Sequence, residues 1–337
     1  MEYITETTRQ YKANLHSHSN ISDGTLTPEE MADIYREHGY SILAITDHEA
    51  PAAHQDLNRP GFQMITGYEA YIRSDSLCRF DPFRPEIHLN LIAKDPANVT
   101  YIGYDAKFCK YLPHEAAEKL PQAGAGIRRY NREYLQEFIR TANEAGYLVA
   151  MNHPVWSQES ESMLLGLKGC YSLEIYNTGS WCINGGELNT GLYDAYLRNG
   201  SMIYCHGADD NHNKKPLDDL LSDSFGAWTQ VLAKDLSYAS VIHALENGDF
   251  YASTGPSIRV LAMNGGHVHV ECSPAQRILL VRSMKRCQNA YRPDGSDITS
   301  ADFDLPEQET PYAYIIVMDR YGHQAHTRAF TRTELGL

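Results

Sequence analysis

The stretch from Thr27 to His48, TPEEMADIYREHGYSILAITDH, decides the fold. Its first half carries a helix signature: Thr27 as N-cap, Pro28 in the first turn, Glu30 closing a capping box and Gly39 as the stop. Its second half is a short apolar run that ends in Thr46, Asp47 and His48. The unit recurs. NREYLQEFIRTANEAG (131–146) leads through Gly146 into YLVAMNHP (147–154), and LNTGLYDAYLRNG (188–200) leads through Gly200 into SMIYCHGADDNH (201–212). Between them CYSLEIYN (170–177) is a further apolar strand with a polar end. Alternation of this kind predicts parallel strands joined by right-handed crossover helices, hence an α/β sheet or barrel. In such folds chemistry collects at the C-terminal ends of strands, where His48, His153 and the Asp209–His212 cluster sit.

Past residue 255 the texture changes. SIRVLAMNGGHVHVEC (257–272) predicts two strands around an Asn-Gly-Gly turn, and YAYIIVMDRYGHQAHTRAF (312–330) a second hairpin. Residues 1–255 therefore form one expected domain, and 256–337 a small antiparallel β domain of sandwich type. Residues 73–87 and 94–130 show no clear period and are expected to be long loops that serve as lids or substrate loops.

The chain has 337 residues, 42% of them hydrophobic and 21% charged, which suits a globular protein with a large core. No run approaches the roughly 20 apolar residues of a membrane span, and no basic-then-apolar leader opens the sequence. Seven cysteines without a CxxC pair read as free thiols, and a cytoplasmic location is the expectation. A net charge of −14 argues against a long nucleic acid as partner. A small anionic substrate stays compatible, because bound cations dominate the field locally. Oligomeric state is not legible.

HSHSNISDG (16–24) puts His16 and His18 on one face of a strand and Asp23 close behind. Strand ends elsewhere add His48, Glu69, His88, His153, Asp210 and His212. Imidazoles with carboxylates and no thiolate suit Mn, Fe or Zn in a catalytic site, and nine such groups exceed one ion's needs. Two or three divalent metal ions are expected.

HSHSNISDG, AITDHE (44–49), NHP (152–154) and GADDNH (207–212) together resemble the signature of the polymerase and histidinol phosphatase (PHP) family, over about residues 13–255. NGDFYASTGPS (247–257) resembles a feature of the two-domain form in a carbaryl-hydrolase-like branch of that family. The resemblance implies a distorted (β/α)7 barrel with a trinuclear metal site at its C-terminal face. It implies that His16, His18 and Asp210 bind one ion, which Glu69 bridges to a second held by His88 and His153. Asp23, His48 and His212 would hold the third.

The function expected is a metal-dependent phosphoesterase that cleaves a small phosphate ester with a metal-bridging hydroxide. Hydrolysis of a carboxylic or carbamic ester at the same site is the first alternative, and a non-catalytic metal-binding module the second. Three residues are the candidates beside the reacting bond. His212 is placed to supply a proton, Asp209 is expected to orient, and His206 is a second proton donor whose plainer reading is a structural histidine. Arg128, Arg129 and Arg132 are candidates for gripping substrate phosphate, against the plainer reading of a solvated helix start. Trp156 either walls the pocket or packs, and Tyr176 and Asn177 are placed at a strand end to face it.

Overall fold

The computed structural model describes residues 1–76, 84–306, 308 and 310–337. The three helices read from the sequence form at Pro28–Glu37, Arg132–Glu144 and Thr190–Arg198. The Thr27 hydroxyl accepts from the Glu30 N–H and the Glu30 carboxylate accepts from the Thr27 N–H, which completes the capping box. Gly39, Gly146 and Gly200 follow the helices at φ of 77°, 87° and 82°, a conformation in which a Cβ would be strained. The inward faces, Met31 and Tyr35 in the first helix and Leu135, Phe138 and Ile139 in the second, are buried against the sheets.

The strands that carry the polar ends lie in two sheets. One runs Tyr204–Ala208, Cys170–Asn177, Tyr147–Met151, Glu86–Ala93, Gly67–Arg73. The other places Gln63–Ile65, Ile42–Ala44 and Tyr11–Asn14 side by side, then Trp228–Val231 and Phe250–Ser253. Leu15, Ile42, Ile65, Ile92, Leu148, Val231 and Phe250 come from both sheets and share one buried cluster. Isolated parallel bridges, Ser17 with Asn211 and His48 with Glu69, link the sheets at the end where the polar residues gather.

The all-parallel arrangement expected from the alternation holds only in part. Gly67–Arg73 pairs antiparallel with Glu86–Ala93, which pairs antiparallel with Tyr147–Met151. Trp228–Val231 is antiparallel to both of its neighbours. Gly67–Arg73 and Glu86–Ala93 are consecutive strands with no helix between them among the described residues, a connection that suits antiparallel neighbours. The part that carries the polar strand ends is thus a mixed α/β arrangement of two sheets.

The C-terminal hairpins form as read, at Ile258–Asn264 with His267–Ala275 and at Tyr312–Met318 with Gln324–Thr327. The sheet of Phe250–Ser253 continues into Gln324–Thr327, so strands on either side of residue 255 are hydrogen-bonded neighbours. The strand Glu2–Ile4 lies on the edge of the C-terminal four-stranded sheet. Of the expected loop 73–87, residues 77–83 lie outside the described residues, and Glu86 already begins a strand. Residues 94–130 contain the short strands Tyr101–Ile102 and Gln122–Ala123 and one helical turn, His114–Ala117. The described cysteines are free, and among the described residues no helix is long and apolar enough to cross a membrane.

Candidate metal centre

His16 and His18 follow the strand Tyr11–Asn14, and the loop after them must fold back tightly to bring Asp23 round. A Cβ on Gly24 would stand 2.1 Å from the His18 carbonyl oxygen, so glycine alone permits the turn. Asp47 holds the loop from beneath, accepting from the Ser19 N–H at 2.8 Å and from the Ser19 and Ser22 hydroxyls at 2.6 Å each.

Nε2 of His16 lies 3.1 Å from Asp210 Oδ1 and 3.3 Å from Glu69 Oε2. Nε2 of His18 lies 2.9 Å and 3.2 Å from the same two oxygens. Glu69 also meets His48 Nδ1 and His88 Nδ1 at 3.0 Å each and His153 Nε2 at 3.3 Å. Asp23 Oδ1 stands 3.3 Å from His212 Nε2 and 3.9 Å from His48 Nε2. Three overlapping groups result: His16, His18, Glu69 and Asp210; His48, Glu69 and His88; His18, Asp23, His48 and His212. In each, one ligand atom per residue lies within 4.8 Å of the others.

The donor set fits divalent ions on two counts. Glu69 Oε2, His48 Nδ1 and His88 Nε2 are buried and accept or donate no well-formed hydrogen bond, although ring nitrogens crowd around the Glu69 oxygen. Lone pairs that converge without a shared proton are what a cation would satisfy. Burial disfavours charge on Glu69 and Asp210, yet the surrounding rings hold both carboxyls well below the usual range. Burial likewise opposes charged rings, but Asp210 and Glu69 raise His18 to about 9, and Glu69 and Glu86 raise His88 to about 10. Protons and a metal ion would therefore compete for these positions.

Asp210 itself adopts φ +52°, rare outside glycine, and so turns its carboxylate towards His16 and His18. A Cβ at Gly179 would meet its carbonyl at 2.7 Å. The His212 Nδ1–H donates to the Asp210 carbonyl at 3.0 Å, which leaves Nε2 facing Asp23.

Several expected roles need correction. Asp209 does not face the metal groups. Its carboxylate accepts from Tyr35 Oη, Thr178 Oγ1 and the N–H groups of Phe225, Gly226 and Ala227, at 2.8–3.0 Å. It anchors the turn before Trp228, and burial raises its carboxyl to about 6. His206 is buried behind the site, its Nδ1 2.8 Å from Ser172 Oγ and its pKa lowered to about 4 by burial, so it cannot reach a leaving group.

Arg128 is also buried and fully engaged. It forks onto Glu49, with Nη2 2.7 Å from Oε2, and donates to the Gly103, Tyr71 and Ile102 carbonyls. Arg129 and Arg132 are exposed and do not line the cleft, and Arg132 donates to the Ser162 carbonyl. Tyr176 stacks on Trp181 at 5.4 Å, facing a different cavity. Asn177 is buried and donates to Glu174 and Asp210 at 2.8 and 3.1 Å, which holds a ligand in place instead of touching substrate. Trp156 does line the cleft, edge-on to His88 and His153 at 5.3 and 5.1 Å.

The cleft over the metal groups has a volume of about 380 Å³. Trp156, Ile183 and Leu221 give it an apolar rim, and Lys214 and Lys215 bring the cations. Tyr111, from the long loop, stacks on His48 at 6.2 Å. The lysines were legible in HNKKP (212–216) but carried no motif. Glu174 was missed altogether. It is a lone carboxylate in the apolar strand Cys170–Asn177, fully buried, with Oε1 3.0 Å from His16 Nδ1 and Oε2 accepting from the His153 N–H at 2.8 Å. Asn152 was missed as well, and donates to Glu69 Oε1 at 2.7 Å.

Residues 14–156 match the profile of the PHP domain. Over these residues the chain is similar to a PHP domain. That segment contributes His16, His18, Asp23, His48, Glu69, His88 and His153, and the structure brings Asp210 and His212 to it from outside the matched stretch. The chain is 42% identical over 62 residues to the 5'-3' exoribonuclease Rnm of Salmonella typhimurium, which is 17% of this chain and 21% of that protein. The chain thus spans about a fifth of that relative's length. Among solved structures it is similar to a two-domain protein from Bacteroides vulgatus that contains a predicted PHP-like metal-dependent phosphoesterase. Identity is 14%, with a TM-score of 0.46 over 97% of this chain and 96% of that one. An amidohydrolase from Chromobacterium violaceum gives 17% identity and a TM-score of 0.40 over 71% and 96% of the two chains.

Proposed function

We propose that this chain is a metal-dependent phosphoesterase acting on a small phosphate ester, with two or three divalent ions held by the nine residues named above. The observation that carries the reading is the convergence on Glu69, from one side by His16 and His18 and from the other by His48, His88 and His153. One carboxylate shared between neighbouring donor groups is the arrangement a multinuclear site requires. Divalent ions bound there supply Lewis acidity at neutral pH.

The chain's own residues do the rest. Asp210, Glu69 and Asp23 are anions inside the cleft, so substrate phosphate needs cations at the mouth, and Lys214 and Lys215 provide them. Trp156, Ile183 and Leu221 give the mouth an apolar rim against which an apolar part of the substrate can pack. Glu174, Asn177 and Asn152 hold His16, His153, Asp210 and Glu69 in register.

The identity with an exoribonuclease favours a second reading, in which the scissile bond is a phosphodiester of a nucleotide or short oligonucleotide. The net charge of −14 weighs against a long one.

Metal content of the purified protein, with turnover of a phosphomonoester, a phosphodiester and a carboxylic ester in Mn, tests the proposal. Hydrolysis of a phosphate ester that His16→Ala abolishes in a folded protein is expected. Turnover of the carboxylic ester alone would replace the proposal, and full metal occupancy with no turnover of any of the three would leave a binding module.

A further inference from the structure

The apolar rim of the metal cleft is assembled from three separate segments of chain. Trp156 lies just after His153, Ile183 sits in the last turn of the helix Thr178–Asn184, and Leu221 precedes the strand Trp228–Val231. All three side chains line the cleft, and they are 36%, 75% and 51% exposed. Each therefore keeps apolar surface in water that a ligand in the cleft can cover. Open apolar surface gathered at the mouth of a site marks a place where something apolar binds.

Glu187 ties two of these segments together. It is fully buried, and its Oε1 and Oε2 accept from the N–H groups of Val155 and Trp156 at 3.1 and 2.8 Å. Asn184, at the end of the helix that carries Ile183, donates to Oε2 at 3.3 Å. Asn189 donates to Oε1 at 3.0 Å and to the Glu174 carbonyl at 3.1 Å, which roots Glu187 in the strand behind His16. The Cys182 thiol donates to the Ser222 carbonyl at 3.6 Å and draws the third segment against the same helix. A buried carboxylate taken up by two consecutive backbone N–H groups holds that turn in one position. The rim is thus preformed.

We propose that Trp156, Ile183 and Leu221 form the subsite for the alcohol part of the substrate, an uncharged apolar group, and that Glu187 positions this subsite. The proposal rests on the phosphoesterase reading and narrows its substrate class to phosphate esters of apolar, and not polyhydroxylated, alcohols. The phosphate has its own partners in the metal groups and the two lysines, which leaves the rim for the other end of the molecule. Covering these side chains with an apolar group removes both surfaces from water. A sugar or glycerol hydroxyl in the same place would give up its water, and Ile183 and Leu221 return no hydrogen bond. Glu187 touches no substrate; it acts through the turn that carries Trp156.

Benzyl phosphate and glycerol 1-phosphate are both alkyl esters and differ in the polarity of the alcohol. The Mn-loaded protein is expected to show a kcat/KM about tenfold or more in favour of benzyl phosphate, most of it in KM. Trp156→Ala and the double variant Ile183→Ser with Leu221→Ser change exposed side chains, and each is expected to cut that preference several-fold. Glu187→Gln sets an amide N–H against backbone N–H groups and is expected to cut it too, with Mn affinity retained. That split separates a misplaced rim from a general loss of structure. Equal kcat/KM for the two esters would overturn the proposal, as would a preference that all three variants leave intact. Hydrolysis of neither ester would remove the phosphoesterase reading alone, and binding then decides the subsite. Benzylphosphonate held about tenfold more tightly than methylphosphonate in equilibrium dialysis would support it, and equal or absent binding would overturn it.

Discussion

Glu174 Oε1 lies 3.0 Å from Nδ1 of His16, and both side chains are fully buried. The contact fixes the His16 ring so that its other nitrogen faces Glu69 and Asp210. A carboxylate behind a ligating histidine sets its tautomer and raises its basicity.

Glu174→Gln keeps the shape but weakens that hold. Metal affinity is expected to fall by roughly 10- to 100-fold with the fold retained. Titration of the metal-free protein with Mn or Zn, alongside circular dichroism, checks this. Unchanged affinity would show that Glu174 only fills space.

Arg128 and Glu49 form a buried fork that does not itself line the cleft, although Glu49 follows His48 and its N–H donates to the Glu69 carbonyl at 2.8 Å. Removing one partner leaves the other charged and unpaired, so Arg128→Met or Glu49→Gln is expected to cost about 3–5 kcal/mol of stability. The expected signature is a lowered denaturation midpoint with KM unchanged in the folded fraction. A raised KM at unchanged stability would restore the arginine to substrate binding.

Asp209 accepts five hydrogen bonds and coordinates none of the metal groups. Asp209→Ala strands those donors and is expected to destabilise by on the order of 3 kcal/mol. Chemical denaturation measures it. Loss of metal without loss of stability would contradict the anchoring role.

Lys214 and Lys215 stand exposed at the mouth. Lys214→Ala and Lys215→Ala are each expected to raise KM for a phosphate ester about tenfold, with little change in stability. The effect is expected to shrink at high salt, because exposed charges are screened. Steady-state kinetics at two ionic strengths decide it.

His326 is neutral because burial lowers its pKa from 6.5 to about 4. Between those values the unfolded chain binds a proton that the folded chain excludes. Stability therefore falls as pH drops through this window, by about 3 kcal/mol in full. The variant His326→Gln is expected to show a shallower acid dependence than the parent in denaturant titrations across the window. Parallel slopes would show that the ring is not the group responsible.

The sequence by itself determined whatever depends on near neighbours. The capping box of Thr27 and Glu30 and the glycine stops at 39, 146 and 200 are local, and the structure holds them as read; His16 and His18 do meet the same two carboxylates, but from the segment just after the strand Tyr11–Asn14 and not from within it. The antiparallel strands escaped the alternation rule because composition does not carry strand direction: Glu86–Ala93 and Tyr147–Met151 pair antiparallel although a helix lies between them.

Tertiary structure alone decided the remaining roles, since their partners lie far along the chain. Arg128 looked like a phosphate ligand until Glu49, 79 residues away, occupied its fork. Glu174 looked like an odd charge in an apolar strand until His16, 158 residues away, came to it. Asp209 and Asp210 are adjacent and chemically identical, yet a left-handed backbone at Asp210 sends one carboxylate to the metal groups and leaves the other under a turn. A residue's type sets which chemistry it can do, and only the fold sets which atoms it meets.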